Sequence, residues 1–148
     1  EVAEHLSEKA TMGLVESLVT ASDFILFSAA IPFQDGRGHI NAQWPDYWAH
    51  MFTERGFVPL DFIRSKIWND KQIRHWYRQN ILMFVKEEEM HNVKIPGPDR
   101  RNNIVPLSLV HPETYLKKTN QMSSVKGSLR LFRRAAKKWI ERKISDGS

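Results

Sequence analysis

Residues 24 to 31 read Phe-Ile-Leu-Phe-Ser-Ala-Ala-Ile, an unbroken apolar run of strand length closed by Pro32. A run that does not alternate between apolar and polar predicts a strand buried on both faces. That is the habit of a parallel sheet with helices on either side. The flanking segments fit such a context. Ser7 is a helix N-cap, and Ala10, Leu14, Val15, Leu18 and Val19 recur at helical spacing, which predicts a helix over 8–21. After the run, Asp35, Gly36, Gly38 and Asn41 mark a loop over 32–43, at the strand end where open α/β sheets bind ligands.

Pro45 suits the first turn of a helix with Tyr47, Trp48, Met51 and Phe52 on one face, and Gly56 suits its C-terminal cap. A strand is predicted over 57–64, with Pro59 placing its early part at an edge or bulge. A short helix follows around 70–77, then a strand over 81–85 (Ile-Leu-Met-Phe-Val) that runs into Lys86 and the acids Glu87, Glu88 and Glu89. Residues 90–106, with Pro96-Gly97-Pro98-Asp99 and Arg100-Arg101-Asn102-Asn103, read as an exposed loop. Pro112 starts a helical turn through Leu116. The last helix carries Val125, Leu129, Phe132, Ala136, Ile140 and Ile144 on one stripe. The domains expected are therefore 1–89, a loop and extension at 90–118, and a basic helical tail at 119–148.

Composition narrows the chemistry. A hydrophobic content of 41% can build one core. No run approaches the roughly 18 apolar residues of a membrane span, and no signal pattern opens the chain. The chain lacks cysteine, so any metal must use His, Asp or Glu, and a cytoplasmic setting is expected. Ten basic residues against the single acid Glu141 lie between Lys117 and Lys143, so the tail is basic and the body slightly acidic. The chain opens on Glu1 rather than Met, directly in a motif, and three strands with this much apolar surface leave a flank bare. Both points lead to the expectation of a fragment.

The motifs resemble a known family. Glu1-Val2-Ala3-Glu4-His5-Leu6 resembles the segment after the fourth strand of class I S-adenosylmethionine-dependent methyltransferases. Residues 24–31 resemble the fifth strand, and 57–64 with 81–85 the final hairpin of sixth and seventh strands. The segments Ala30-Ile31-Pro32-Phe33-Gln34, Gly38-His39-Ile40-Asn41, Gln43-Trp44-Pro45-Asp46-Tyr47-Trp48 and Trp76-Tyr77-Arg78-Gln79-Asn80 carry the likeness furthest, toward bacterial methyltransferase-domain proteins of glycan or natural-product tailoring. The resemblance covers residues 1 to about 118. It implies an α/β fold, the C-terminal half of a Rossmann-like doubly wound sheet with a basic C-terminal helix added. The implied activity is O-methylation of a sugar, glycan or related small metabolite, with S-adenosylmethionine as cofactor and Glu1 and Val2 on its side of the cleft. The family's acid-x-Gly-x-Gly-x-Gly cofactor loop has no counterpart. Gly36-Arg37-Gly38 follows the wrong strand and lacks the third glycine, so these residues alone are expected to be inactive.

What this half must supply is positioning and deprotonation of the methyl acceptor. Glu1, Glu4 and His5 stand at i, i+3 and i+4, so a helical turn would project all three together. The pattern Glu-x-x-Glu-His resembles the divalent-metal motif of plant-type small-RNA 2′-O-methyltransferases and of some quinone-biosynthesis O-methyltransferases. His39 takes the place of the histidine that completes it in the former. The implied metal set is Glu1, Glu4, His5 and His39, suited to Mg²⁺ or Mn²⁺. The same Glu and His also occur in metal-free relatives, capping a helix or lining the cofactor pocket, and His5 and His39 are equally candidates for acid–base catalysis.

Gln34, Asn41, Trp44 and Arg78 are the candidate substrate contacts, with Gln79 and Asn80 beside them. Tyr47 and Trp48 read as helix core, with an aromatic wall shared with Trp44 against a sugar or ring substrate as the alternative, and Asp61, Asp70 and Glu87 to Glu89 read as solvated surface. A rival to the enzyme is a non-catalytic module that anchors through its basic helix. That helix can lie on an anionic membrane or pack on its own domain, and nucleic acid is not the expected partner.

Overall fold

The computed structural model describes residues 1–94 and 106–145. It is mixed α/β and divides into two compact units, Glu1–His111 and Pro112–Ser148. In the first unit a 3-10 turn at Ala3–His5 leads into helix α1 (Glu8–Ala21), strand β1 (Phe24–Phe27), α2 (Pro45–Thr53), β2 (Phe57–Leu60), α3 (Arg64–Ile67), α4 (His75–Asn80) and β3 (Leu82–Lys86), followed by a 3-10 segment at Glu87–Asn92. The second unit holds α5 (Pro112–Ser123) and α6 (Val125–Ser145). No helix of the described residues is long and apolar enough to cross a membrane.

Local chemistry sets the helix ends as expected. The Ser7 hydroxyl accepts a hydrogen bond from the Ala10 amide at 3.3 Å, satisfying one of the free donors of the first turn of α1. Pro45 occupies the first turn of α2, and Gly56, just past its end, has a positive φ of 76°.

The three strands form one small open sheet in the order β1-β3-β2, and both pairs are antiparallel. Phe24 lies opposite Val85 and Phe27 opposite Leu82, while Pro59 on the other edge strand lies opposite Phe84. Proline is tolerated there because an edge strand leaves half of its amides unpaired.

This arrangement corrects the reading of residues 24–31. Only the first four form a strand, that strand is an edge, and its burial alternates. Ile25 and Phe27 are buried, whereas Phe24 is 43% and Leu26 61% exposed. Ala29, Ala30 and Ile31 are indeed buried, but as the coil beyond the strand. An apolar run reports burial and leaves open whether strand or coil delivers it.

Three further boundaries move. The strand expected over 57–64 stops at Leu60, where Asp61 and Arg64 pair at i and i+3 and open α3. The helix expected over 70–77 begins only at His75, because the Asp70 side chain accepts the Gln72 amide at 2.9 Å and holds a turn. The helix from Pro112 runs to Ser123, well past Leu116. Most of the loop expected over 90–106 lies outside the described residues.

One face of the sheet carries the core. Phe27, Phe52 and Phe84 meet there, with Phe52 and Phe84 stacked at 4.1 Å between ring centroids and Phe27 edge-on to Phe52 at 5.3 Å. Val15 of α1, Trp48 and Met51 of α2, and Ala3 of the first turn close around them. Behind α3, Arg64 is buried. Its guanidinium makes two bonds to Asp61, at 2.8 and 2.6 Å, and donates to the carbonyls of Gln79 and Leu107 at 3.1 and 2.8 Å. Asp61 is therefore an internal counter-ion rather than a solvated acid.

The bare side of β1 is testable by urea unfolding. Phe84→Ala should cost about 3–5 kcal/mol, as for any large aromatic removed from a packed core. Leu26→Ala should stay within about 0.5 kcal/mol, as for an exposed site. Equal losses would show that β1 is covered on both faces in solution.

Candidate functional site

Two polar clusters gather around the loop that follows β1. The first starts from the 3-10 turn. Its backbone holds the loop directly, since the Glu4 carbonyl accepts the amides of both Ile40 and Asn41, at 2.9 and 3.0 Å. That pairing places His39 over Glu4, with His39 Nε2 4.0 Å from Glu4 Oε1. His5 completes the group. Its ring lies edge-on to His39 at 4.9 Å between centroids, and one ligand atom from each of Glu4, His5 and His39 falls within 4.8 Å of the others.

The electrostatics of Glu4 are unusual. The residue is 0% exposed, and neither carboxylate oxygen has a hydrogen-bond partner among the described residues. Burial pushes the carboxyl up from its ordinary value of 4.5 and outweighs the N-terminal ammonium, which pulls it down, while the nearby Glu1 carboxylate adds to the rise. A buried carboxylate without donors is costly, so the site favours whatever brings positive charge or a proton to it.

The glycines of the loop shape the cluster. Gly38 has φ of 78°, a conformation that side chains rarely adopt, and its carbonyl lies 3.2 Å from His5 Nδ1. With Nδ1 donating to that carbonyl, Nε2 is the nitrogen left with a lone pair. Gly36 packs against the other imidazole, where a Cβ would stand 2.0 Å from His39 Nε2. Any side chain at 36 therefore displaces the His39 ring.

The second cluster is an amide network around Glu1. Glu1 Oε1 accepts from Ser28 Oγ at 2.7 Å and from Asn80 Nδ2 at 2.8 Å, and Oε2 accepts from Gln34 Nε2 at 3.4 Å. Gln79 Nε2 donates to Gln34 Oε1 and to Asn80 Oδ1, at 3.1 and 2.7 Å, while Gln79 Oε1 accepts the His111 amide at 2.9 Å. Gln79 and Asn80 are buried at the end of α4, and Gln34 is half-buried on the loop. The residue before it, Phe33, is exposed and has φ of 65°, a strained turn of the kind found at functional loops.

The candidate residues thus separate by position. Glu4, His5 and His39 come together, whereas the carboxylate of Glu1 is engaged by the amide network. Val2 is exposed. Gln34 joins the network. Asn41 is buried and held to the scaffold, donating to Thr11 Oγ1 at 3.0 Å and accepting from Gln43 Nε2 at 3.0 Å. Arg78 is buried and donates to the Trp68 carbonyl at 2.8 Å. Trp44 precedes α2 and is 40% exposed, while Trp48 belongs to the core. Ser28 was not singled out by the sequence, because a serine inside an apolar run carries no signal of its own.

No family model, curated protein or solved structure matches the chain.

The burial of Glu4 has a pH signature. A carboxyl whose folded-state value is raised binds its proton more tightly in the folded chain, so its contribution is full below pH 4.5 and is lost as pH rises through the folded-state value. In metal-free buffer, Glu4→Gln should stabilise the chain by about 1–3 kcal/mol at pH 7, the scale of one unsatisfied buried group. The gap should close toward pH 4. Thermal melts of both proteins over pH 4–8 measure it, and a gap that widens in acid would contradict the assignment.

Proposed function

We propose that residues 1–89 form the acceptor-facing half of an S-adenosylmethionine-dependent O-methyltransferase, the Rossmann-like half-sheet of the resemblance, in which Glu4, His5 and His39 hold Mg²⁺ or Mn²⁺. The observation that carries the proposal is Glu4, a fully buried carboxylate with no hydrogen bond, facing two imidazoles. A divalent cation would meet that need by bringing positive charge to both oxygens. Ligands about 2.1 Å from such an ion lie up to about 4.2 Å apart, so the observed 4.8 Å spacing has to contract by a few tenths of an ångström. The His5 contact to the Gly38 carbonyl supports the reading too, because metal-binding imidazoles commonly donate their second nitrogen to a carbonyl or carboxylate.

The fold is compatible with that family. Helix and strand alternate in the expected order, and β2 and β3 pair antiparallel, as a final hairpin must. The bound ion would supply Lewis acidity, favouring the deprotonated form of an acceptor hydroxyl. The protein's own groups do the rest. Glu4, anchored through its carbonyl to residues 40 and 41, sets the position of the site. His39 would serve as base only as a free imidazole and not as a ligand, since a ring bound through one nitrogen carries its proton on the other. Glu1, Gln34 and Asn80 bond to one another and brace the loop beside the site. The proposal requires a cofactor-binding half that these 148 residues do not contain.

Calorimetric titration with MnCl₂ tests the cation site. Saturable binding is expected, along with paramagnetic broadening of the His5 and His39 ring signals in NMR spectra, and Glu4→Gln should weaken affinity at least about tenfold, as for loss of a ligand or its support. Binding that survives Glu4→Gln unchanged would remove the carboxylate from the site. Titration with S-adenosylmethionine should give no measurable heat for this chain. Micromolar affinity would contradict the division of labour proposed.

A further inference from the structure

We infer that α6 is an interfacial helix that docks the protein on an anionic phospholipid surface. At about 100° per residue, Trp139, Phe132, Val125, Ala136, Leu129 and Ile140 fall within an arc of about 100°. Arg133, Lys126, Lys137 and Arg130 follow along one flank of that arc. Along α6, Phe132 is 70%, Leu129 51% and Ile140 50% exposed. The flanking Lys126, Arg130, Arg133 and Lys137 are exposed as well.

The partner follows from the combination. An apolar stripe that includes Phe and Trp, rimmed on one flank by cations, matches a bilayer boundary in two respects at once. The rings reach the acyl margin, and the guanidinium and ammonium groups meet the phosphates. The segment 117–143 carries ten basic residues against one acid, so its charge complements an anionic leaflet. A helix that gripped only nucleic-acid phosphates would have no use for the exposed stripe. A second copy of the same helix would bring like charges together. Crossing the membrane is ruled out for the described residues by the charge density of α6, which leaves attachment in the plane of the surface.

The test uses the full 148-residue chain and sedimentation with vesicles of phosphatidylcholine alone, or with 30% phosphatidylserine, in 50 and 500 mM NaCl. The chain is expected to partition onto the phosphatidylserine vesicles at low salt, at least about tenfold less at high salt, and weakly onto phosphatidylcholine. The double substitution Leu129→Glu with Phe132→Glu should lower partition at least about tenfold, and Arg130→Glu about fivefold or more, since each basic group near the surface is worth about 1 kcal/mol. Far-UV circular dichroism shows whether the variants keep their helices. The blue shift of tryptophan emission on binding should shrink in Trp139→Phe, a conservative change that leaves the fold alone. Equal partition onto both vesicle types, or partition that ignores Leu129→Glu with Phe132→Glu, would overturn the inference. So would absence from both vesicle types, with or without binding to an RNA homopolymer.

Discussion

Phe84 is the point on which the first unit depends. It lies at the middle of the central strand, flanked by Ile25 on one side and Pro59 on the other, and its ring stacks on Phe52 of α2. Sheet and helix layer are therefore joined through aromatic contacts, in which Phe27 and Phe57 of the two edge strands also meet Phe52, and Phe27 meets Trp48. Stacked and edge-on ring pairs add about 0.5–1.5 kcal/mol each beyond the area they bury. With strands of only four or five residues, the sheet has few ladder bonds to hold it, so this packing sets where β1 ends. The loop beyond that end is the one that supplies Gln34, His39 and Asn41.

Against that apolar centre, the unit buries charge in two different ways. Arg64 has a carboxylate and two carbonyls around it, so its desolvation is offset by bonds on every side, and the pair holds α3, α4 and the segment at Leu107 together. Glu4 is buried with no hydrogen bond to either carboxylate oxygen, and only the N-terminal ammonium and the His39 ring lie near it. Buried groups of the first kind are explained by architecture. One of the second kind costs stability, and proteins keep such groups mainly where a ligand or a proton completes them. The contrast between the two residues, inside one small unit, directs attention to the cluster at Glu4 rather than to the better-bonded network at Glu1.

Much of the local structure was legible in the residues themselves. Ser7, Pro45 and Gly56 act within a few positions of chain, through one hydrogen bond, one fixed φ and one left-handed turn, and helix ends follow from them. Strand pairing was not legible. Whether Phe24–Phe27 runs parallel or antiparallel depends on which strand comes to lie beside it, and β3 is almost sixty residues away, so no short-range pattern reports it. Asp61 was misread for the same reason, because the bonds that bring it inside belong to Arg64, whose burial is a property of the assembled unit.

The candidate site shows the same division. The sequence alone determined the inventory, namely two acids and a histidine at the first turn, a histidine on a glycine-bearing loop, and amides before the last strand. It also determined the amphipathic, basic character of the final helix, since that follows from side-chain spacing at a known helical period. Only the tertiary structure decided which members meet. The Glu1 carboxylate is taken up by Ser28, Gln34 and Asn80, and the Ile40 and Asn41 amides, bound to the Glu4 carbonyl, carry His39 across to Glu4 and His5. Spacing along the chain constrains such meetings only within a helix, and the pairing of turn with loop was settled by the burial of backbone groups that had to find partners.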